Sequence, residues 1–126
     1  MNFYLQGNDG KQIHLEPGIV QKLQLIDSFT EVSKDIGIHI FPVDLFSSIT
    51  LRKMVTFLMD ETTLHGYEMD LIAEILLALD FFQADDRYLN LVAQYLGQTY
   101  PEQFRQFRTH LGHLQPIEPG NPGKYP

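Results

Sequence analysis

The chain reads as an α+β domain: a β-hairpin, a helix, one further short strand, then a close series of helices. Three observations predict this. Apolar and polar residues alternate on both sides of a tight-turn sequence near the start, the stretch from 71 to 82 is apolar around most of a helical circumference, and helix stop and start signals recur between 82 and 102. The 126 residues, 44% hydrophobic and 20% charged, are enough to bury one core and lie far from the composition of disordered chains.

In FYLQGNDGKQIHL, Phe3 and Leu5 share one parity and Ile13 and Leu15 continue it across the turn cluster Gly7-Asn8-Asp9-Gly10. Strand side chains alternate faces and Asp-Gly supplies a positive φ, so a hairpin is predicted. Pro17 suits the first turn of a helix of about ten residues carrying Ile19, Val20, Leu23 and Ile26. The polar, mixed segment from Asp27 to Gly37 reads as a connection. Ile38, Ile40 and Phe41 favour a strand, and Pro42, which cannot donate to a ladder, marks a strand end or a sheet edge.

Ser47 or Ser48 caps a helix reaching Met59, with a buried stripe of Ile49, Leu51, Met54, Val55 and Leu58 and a wet side at Arg52, Lys53 and Thr56. After a polar break at 60–69, Leu71, Ile72, Ile75, Leu76, Leu79 and Phe82 form a wide apolar arc with only Glu74 and Asp80 charged, as in a helix buried on most sides. If this helix ran on to Leu96 it would be a rod of about 40 Å, too long for so small a domain to cover. QADD therefore reads as a corner, with Asp85 or Asp86 capping a helix that carries Tyr88, Leu89, Val92, Ala93, Tyr95 and Leu96 and ends at Gly97. Thr99-Tyr-Pro-Glu102 has capping-box spacing and opens a last helix with Tyr100, Phe104, Phe107 and Leu111 on one stripe. Residues 1–113 make the domain, and the proline- and glycine-rich 114–126 a flexible tail.

A net charge of -7 repels phosphates, which disfavours nucleic acid and anionic membranes and favours protein partners. The absence of cysteine excludes disulfides, thiolate metal ligands and thiol nucleophiles. His110 and His113 can share a helix face but lack a third or fourth metal ligand, and Arg105, Arg108 and these two histidines read as a solvated face. Asp85-Asp86 resembles a catalytic carboxylate pair but is better explained by capping. His14, His39 and His65 have no nucleophile near them in sequence, and no phosphate loop, serine elbow or His-Glu-x-x-His motif occurs. A protein without catalytic, cofactor or metal sites is expected. With no apolar run of membrane-spanning length and no signal-peptide pattern, the cytoplasm or nucleus is the expected location.

Four stretches, in order, carry a family resemblance: LQGNDGKQIHL, LRKMVTFL, LLALDFFQADDRYL and YPEQFRQF. Together they resemble the BTB/POZ superfamily, and within it the Skp-type and elongin C adaptors of cullin ubiquitin ligases, from residue 3 to about 111. ALDFF is similar to the family's alanine-asparagine-tyrosine-leucine phrase and YPEQFRQF to its proline-glutamate-glutamate-isoleucine-arginine segment. The resemblance implies a three-stranded sheet flanked by a cluster of five or six helices, and a non-enzymatic adaptor with two faces, one for an F-box-like helical receptor and one for a cullin. Asp80 and Phe81 match the asparagine-tyrosine pair of the cullin-facing side. Phe81 lacks the hydroxyl, and Asp80 is acceptor-only where the amide works both ways. On the F-box-like side the matched region, 88 to 111, contributes Tyr95, Tyr100, Phe104, Phe107 and Leu111. Skp adaptors continue into an acidic helix over the F-box where this chain has its tail. Dimeric BTB domains carry an extra helix before the first strand, so a monomer or hetero-complex subunit is expected. The alternatives are a self-associating BTB scaffold unconnected to a ligase, and a small-molecule pocket not visible in sequence.

Overall fold

A computed structural model describes residues 2–32 and 37–108. Its hairpin pairs β1 (Asn2–Gln6) with β2 (Gln12–Leu15) antiparallel, setting Phe3 opposite Leu15 and Leu5 opposite Ile13, all four buried on one face. Gly10, at φ 80, takes the left-handed turn position. The turn is tied to later chain: Asn8 N–H donates to the Phe46 carbonyl at 2.9 Å and Ser48 Oγ to Asp9 Oδ2 at 2.6 Å. Gly7 leaves no room there for a side chain, since a Cβ would lie 2.5 Å from the Ser48 nitrogen.

The expected helix at Pro17 is broken in two. α1 (Pro17–Val20) stops before Leu23, and α2 (Gln24–Val32) runs through part of the segment read as a connection. The break is tertiary in origin. Leu23 forms an isolated bridge with Ala84, Gln24 N–H donates to the Gln83 carbonyl at 3.3 Å, and Leu25 N–H to the Phe82 carbonyl at 3.0 Å. Backbone donors that would continue one helix are thus spent on a partner some sixty residues away. The two helices carry the chain across to β3 (Ile38–Pro42), which pairs parallel with β1 and completes a three-stranded sheet of order β2-β1-β3. Pro42 does lie on an edge strand.

α3 (Ser48–Met59) is capped by Ser47, whose Oγ accepts from Thr50 N–H. The predicted stripe needs one correction: Ile49 is 63% exposed, while Thr50 and Phe57 are buried beside Leu51, Met54, Val55 and Leu58. Thr50 can turn inward because its hydroxyl donates to Glu74 Oε2 at 2.7 Å, so its burial strands no polar atom. At the far end, Lys22 Nζ donates to the Leu58 carbonyl at 2.6 Å, using one of the carbonyls a helix terminus leaves unpaired. A 3-10 turn (Glu61–Leu64), capped by Asp60, then leads to α4 (Met69–Phe81).

Ile72, Ile75, Leu76, Ala78 and Leu79 of α4 are completely buried. The helix ends in a Schellman motif: Gln83 N–H reaches the Asp80 carbonyl, Ala84 N–H reaches Leu79, and Gln83 sits at φ 56. Asp85 Oδ1 then accepts from Arg87 N–H and opens α5 (Asp86–Thr99). The corner predicted at QADD is therefore present. α5 does not end at Gly97 but continues to Thr99, and α6 (Pro101–Arg108) follows at once. Thr99 closes α5 instead of capping α6. The stop comes at Tyr100, at φ -133 and ψ 63, where the following Pro101 disfavours helical backbone. The tail 114–126 lies outside the described residues, as do Leu111, His110 and His113.

Gln83 adopts a left-handed conformation costing a non-glycine residue about 1–2 kcal/mol, so Gln83→Gly should raise stability in urea titration by about 1 kcal/mol after glycine's own entropy cost. Asp9 is held below the ordinary aspartate range, chiefly by the Ser48 hydroxyl and then, against slight desolvation, by the Lys11 and Ser48 amides. A carboxyl whose pKa is lower folded than unfolded stabilises above the unfolded value, and that contribution fades as pH falls through the folded one. Melting curves should show wild type above Asp9→Asn at pH 7, with the gap closing below about pH 4.

Candidate functional site

α4, α5 and α6 carry the residues of the two sequence-predicted surfaces. On the α5–α6 side, Phe104 is 2% exposed and its ring packs beside Gly97 of α5, where a Cβ would lie in ordinary van der Waals contact with Phe104 Cδ2 at 3.5 Å. Phe104 N–H donates to the Tyr100 carbonyl at 2.9 Å. Phe104 is therefore a core residue that fastens α6 to α5, and Tyr100 is half-buried beside it.

Tyr95 points elsewhere. At about 100° per residue it lies roughly 200° around α5 from Gly97, so Tyr95 and Phe104 sit on nearly opposite sides of one helix. The Tyr95 ring meets His65 edge-on at 5.2 Å, where α5 and the 3-10 turn enclose a groove of 220 Å³ floored by Phe57, Leu64 and Leu91. Phe107 belongs to α6 by its backbone, and Leu111 lies outside the described residues. Of the three of these five positions whose side chains are described, Tyr95 lines the open groove, Phe104 is buried in the core and Tyr100 is half-buried.

The other side gathers more exposed apolar surface. Phe81, in the last turn of α4, is 41% exposed and meets the Phe46 ring at 6.0 Å and the Phe82 ring at 5.1 Å, both edge-on. Phe46 immediately precedes the α3 cap and is itself buried. That contact joins the β3–α3 connection to the end of α4, and its flanks carry Leu45 at 69% and Ile49 at 63% exposure. Asp80 is half-buried next to Phe81. Contiguous exposed apolar patches mark interaction surfaces.

Leu45 and Ile49 were not among the sequence-predicted site residues. Ile49 fits the helical stripe as well as Leu51 does, but α3 buries Thr50, Leu51, Met54, Phe57 and Leu58, with Thr50 bonded to Glu74, and Ile49 lies on the outer side. A signal for Leu45 did exist: Leu45-Phe46 is an adjacent apolar pair just before a cap, and one such position normally packs on the fourth helical residue, here Leu51. Its neighbour is left over.

A second concavity, of 420 Å³, lies between α2 and the corner and is lined by Gln21, Lys22, Gln24, Gln83, Asp85 and Tyr88. Its one ammonium is committed to Leu58 and sits 5.6 Å from the Tyr88 ring centroid. Among the described residues no three metal-ligating side chains converge, and no helix is long and apolar enough to cross a membrane. No protein-family model matches the chain, and no curated protein matches it.

Because Phe104 fills a core position, Phe104→Ala should cost about 3–5 kcal/mol, as core phenylalanine truncations do. Urea denaturation followed by circular dichroism should show the lower midpoint, with Phe81→Ala close to wild type.

Proposed function

We propose that the chain is a non-enzymatic protein-interaction adaptor of the Skp-type and elongin C-like BTB/POZ kind, joining a helical receptor protein to a cullin-like subunit. The observation that carries the reading is the exposed apolar surface of Leu45, Ile49 and Phe81 around the Phe46–Phe81 contact. It lies at the position where the family resemblance puts the cullin-facing pair. The mixed sheet, with β3 parallel to β1, and the cornered helices α4 and α5 also agree with the architecture that resemblance implies.

Binding on this face works by removing apolar area from water, worth about 25 cal/mol per Å² before ordering costs are subtracted. Phe81 offers its ring without a phenolic donor, so recognition rests on shape and burial. Affinity is therefore only weakly dependent on salt. Tyr95 and the groove between α5 and the 3-10 turn form the receptor side, where His65 and Tyr95 stand at the rim.

The test is binding of purified chain to cullin N-terminal domains and to F-box peptides. Phe81→Asp should weaken cullin binding about thirtyfold or more, the loss expected when a hot-spot aromatic worth about 2 kcal/mol is removed, with an unchanged melting curve. Full binding by Phe81→Asp, or no cullin binding by wild type, would remove the adaptor reading. A micromolar homodimer in sedimentation that Phe81→Asp dissolves would favour a self-associating scaffold.

A further inference from the structure

β3 is the outer strand of the sheet, with β1 on one side and, among the described residues, no strand on the other. The bonds at its two ends determine which backbone groups face out. Asn2 N–H donates to the Gly37 carbonyl at 2.9 Å, and Val43 N–H to the Gln6 carbonyl at 2.7 Å. Backbone direction alternates along a strand, so Gly37, His39, Phe41 and Val43 turn their groups toward β1. Ile38 and Ile40 turn theirs outward, and Pro42 offers a carbonyl there but no N–H.

The side chains on this edge are apolar as well. Ile38 is 67% and Ile40 44% exposed, on the sheet face away from the buried Phe3 and Leu5, and Ile40 lies opposite Tyr4 in the register. Exposed sheet edges are usually blunted with lysine or another charge, and IHIFP has none; Pro42 guards one end only. Outward-turned amides and carbonyls spaced for a ladder, with no partner strand among the described residues and a β-branched pair beside them, select an extended chain over a helix.

We propose that the free edge of β3 takes an extended segment of a partner protein as a fourth strand, apolar where it meets Ile38 and Ile40 and basic at its flanks. The basic flanks follow from the chain's net charge of -7. A second copy fits less well. Pairing β3 with itself about Ile40 sets Pro42 opposite Ile38 at both ends, removing a donor from each, and brings together two chains of charge -7. This surface is separate from the Phe81 face, and the inference does not depend on the adaptor reading.

The probe is a short peptide with a valine-threonine alternating centre and lysine ends, titrated into 15N-labelled protein. A control peptide of the same charge carries proline in the centre and cannot pair. The alternating peptide should bind, shift the Ile38 and Ile40 amides and slow their hydrogen exchange. Ile40→Lys should weaken binding roughly tenfold, about 1.4 kcal/mol, and Ile38→Lys should do the same, while Phe81→Asp leaves it unchanged. Equal binding of the proline control, or Ile38 and Ile40 amides that exchange as fast with peptide as without, would overturn the proposal. So would a dimer in sedimentation that Ile40→Lys disperses, which assigns the edge to a second copy.

Discussion

The structure depends on keeping α4 out of water. Its buried side covers most of its circumference, so a single neighbour cannot shield it, and α3 and α5 must pack along it from two directions. Both ends of α4 therefore have to reverse the chain. The 3-10 turn at Glu61–Leu64 does this at the front, and the Schellman corner at Gln83 does it at the back. The corner is stabilised twice, by its own helix-terminal hydrogen bonds and by the ladder that Gln24 and Leu25 make to Gln83 and Phe82. That second set is what breaks the helix after Pro17. A constraint at one end of the core thus sets local structure near the other end of the sequence.

The same arrangement decides which surfaces are left open. Burial of α4 consumes Phe82 and leaves its neighbour Phe81 half outside, stacked edge-on against Phe46. The inward turn of Thr50 toward Glu74 leaves Ile49 outside. The parallel crossing from β1 to β3 leaves β3, among the described residues, without a neighbouring strand on one side. Among the described residues the exposed large apolar groups include Leu45, Ile49 and Phe81 and, on the outer strand, Ile38 and Ile40, with Leu25 and Phe29 on α2 and Met59 at the end of α3 besides.

Charge plays a smaller part in cohesion. The ion pair between Arg87 and Glu61 ties the start of α5 to the 3-10 turn, but both partners are well solvated, and exposed pairs of this kind contribute roughly 0–1 kcal/mol. Hydroxyl and carboxylate groups matter more as local fasteners: Ser48 to Asp9 holds the hairpin turn on α3, and Asp60 and Asp85 start the elements that follow them. The acidic surface acts outward, on the choice of partner.

The hairpin, the strand at Ile38, the cap at Ser47, the buried face of α4 and the corner at QADD were all legible in the sequence, because each is written in partners a few residues apart: alternation, a turn glycine, a capping oxygen, a 3.6-residue period. Five features were not. The break at Leu23 and the helical stretch from Asp27 to Val32 depend on Ala84 and its neighbours. The outward turn of Ile49 goes with the burial of Thr50 against Glu74, and α5 continues through Gly97 to Thr99, where α6 then packs back through Phe104. The separation of Tyr95 from Phe104 depends on where α6 packs. Periodicity states which residues avoid water but not which neighbour shields them, so long-range hydrogen bonds and ring packing, visible only in three dimensions, decided how each helix was rotated and which apolar side chains remained outside.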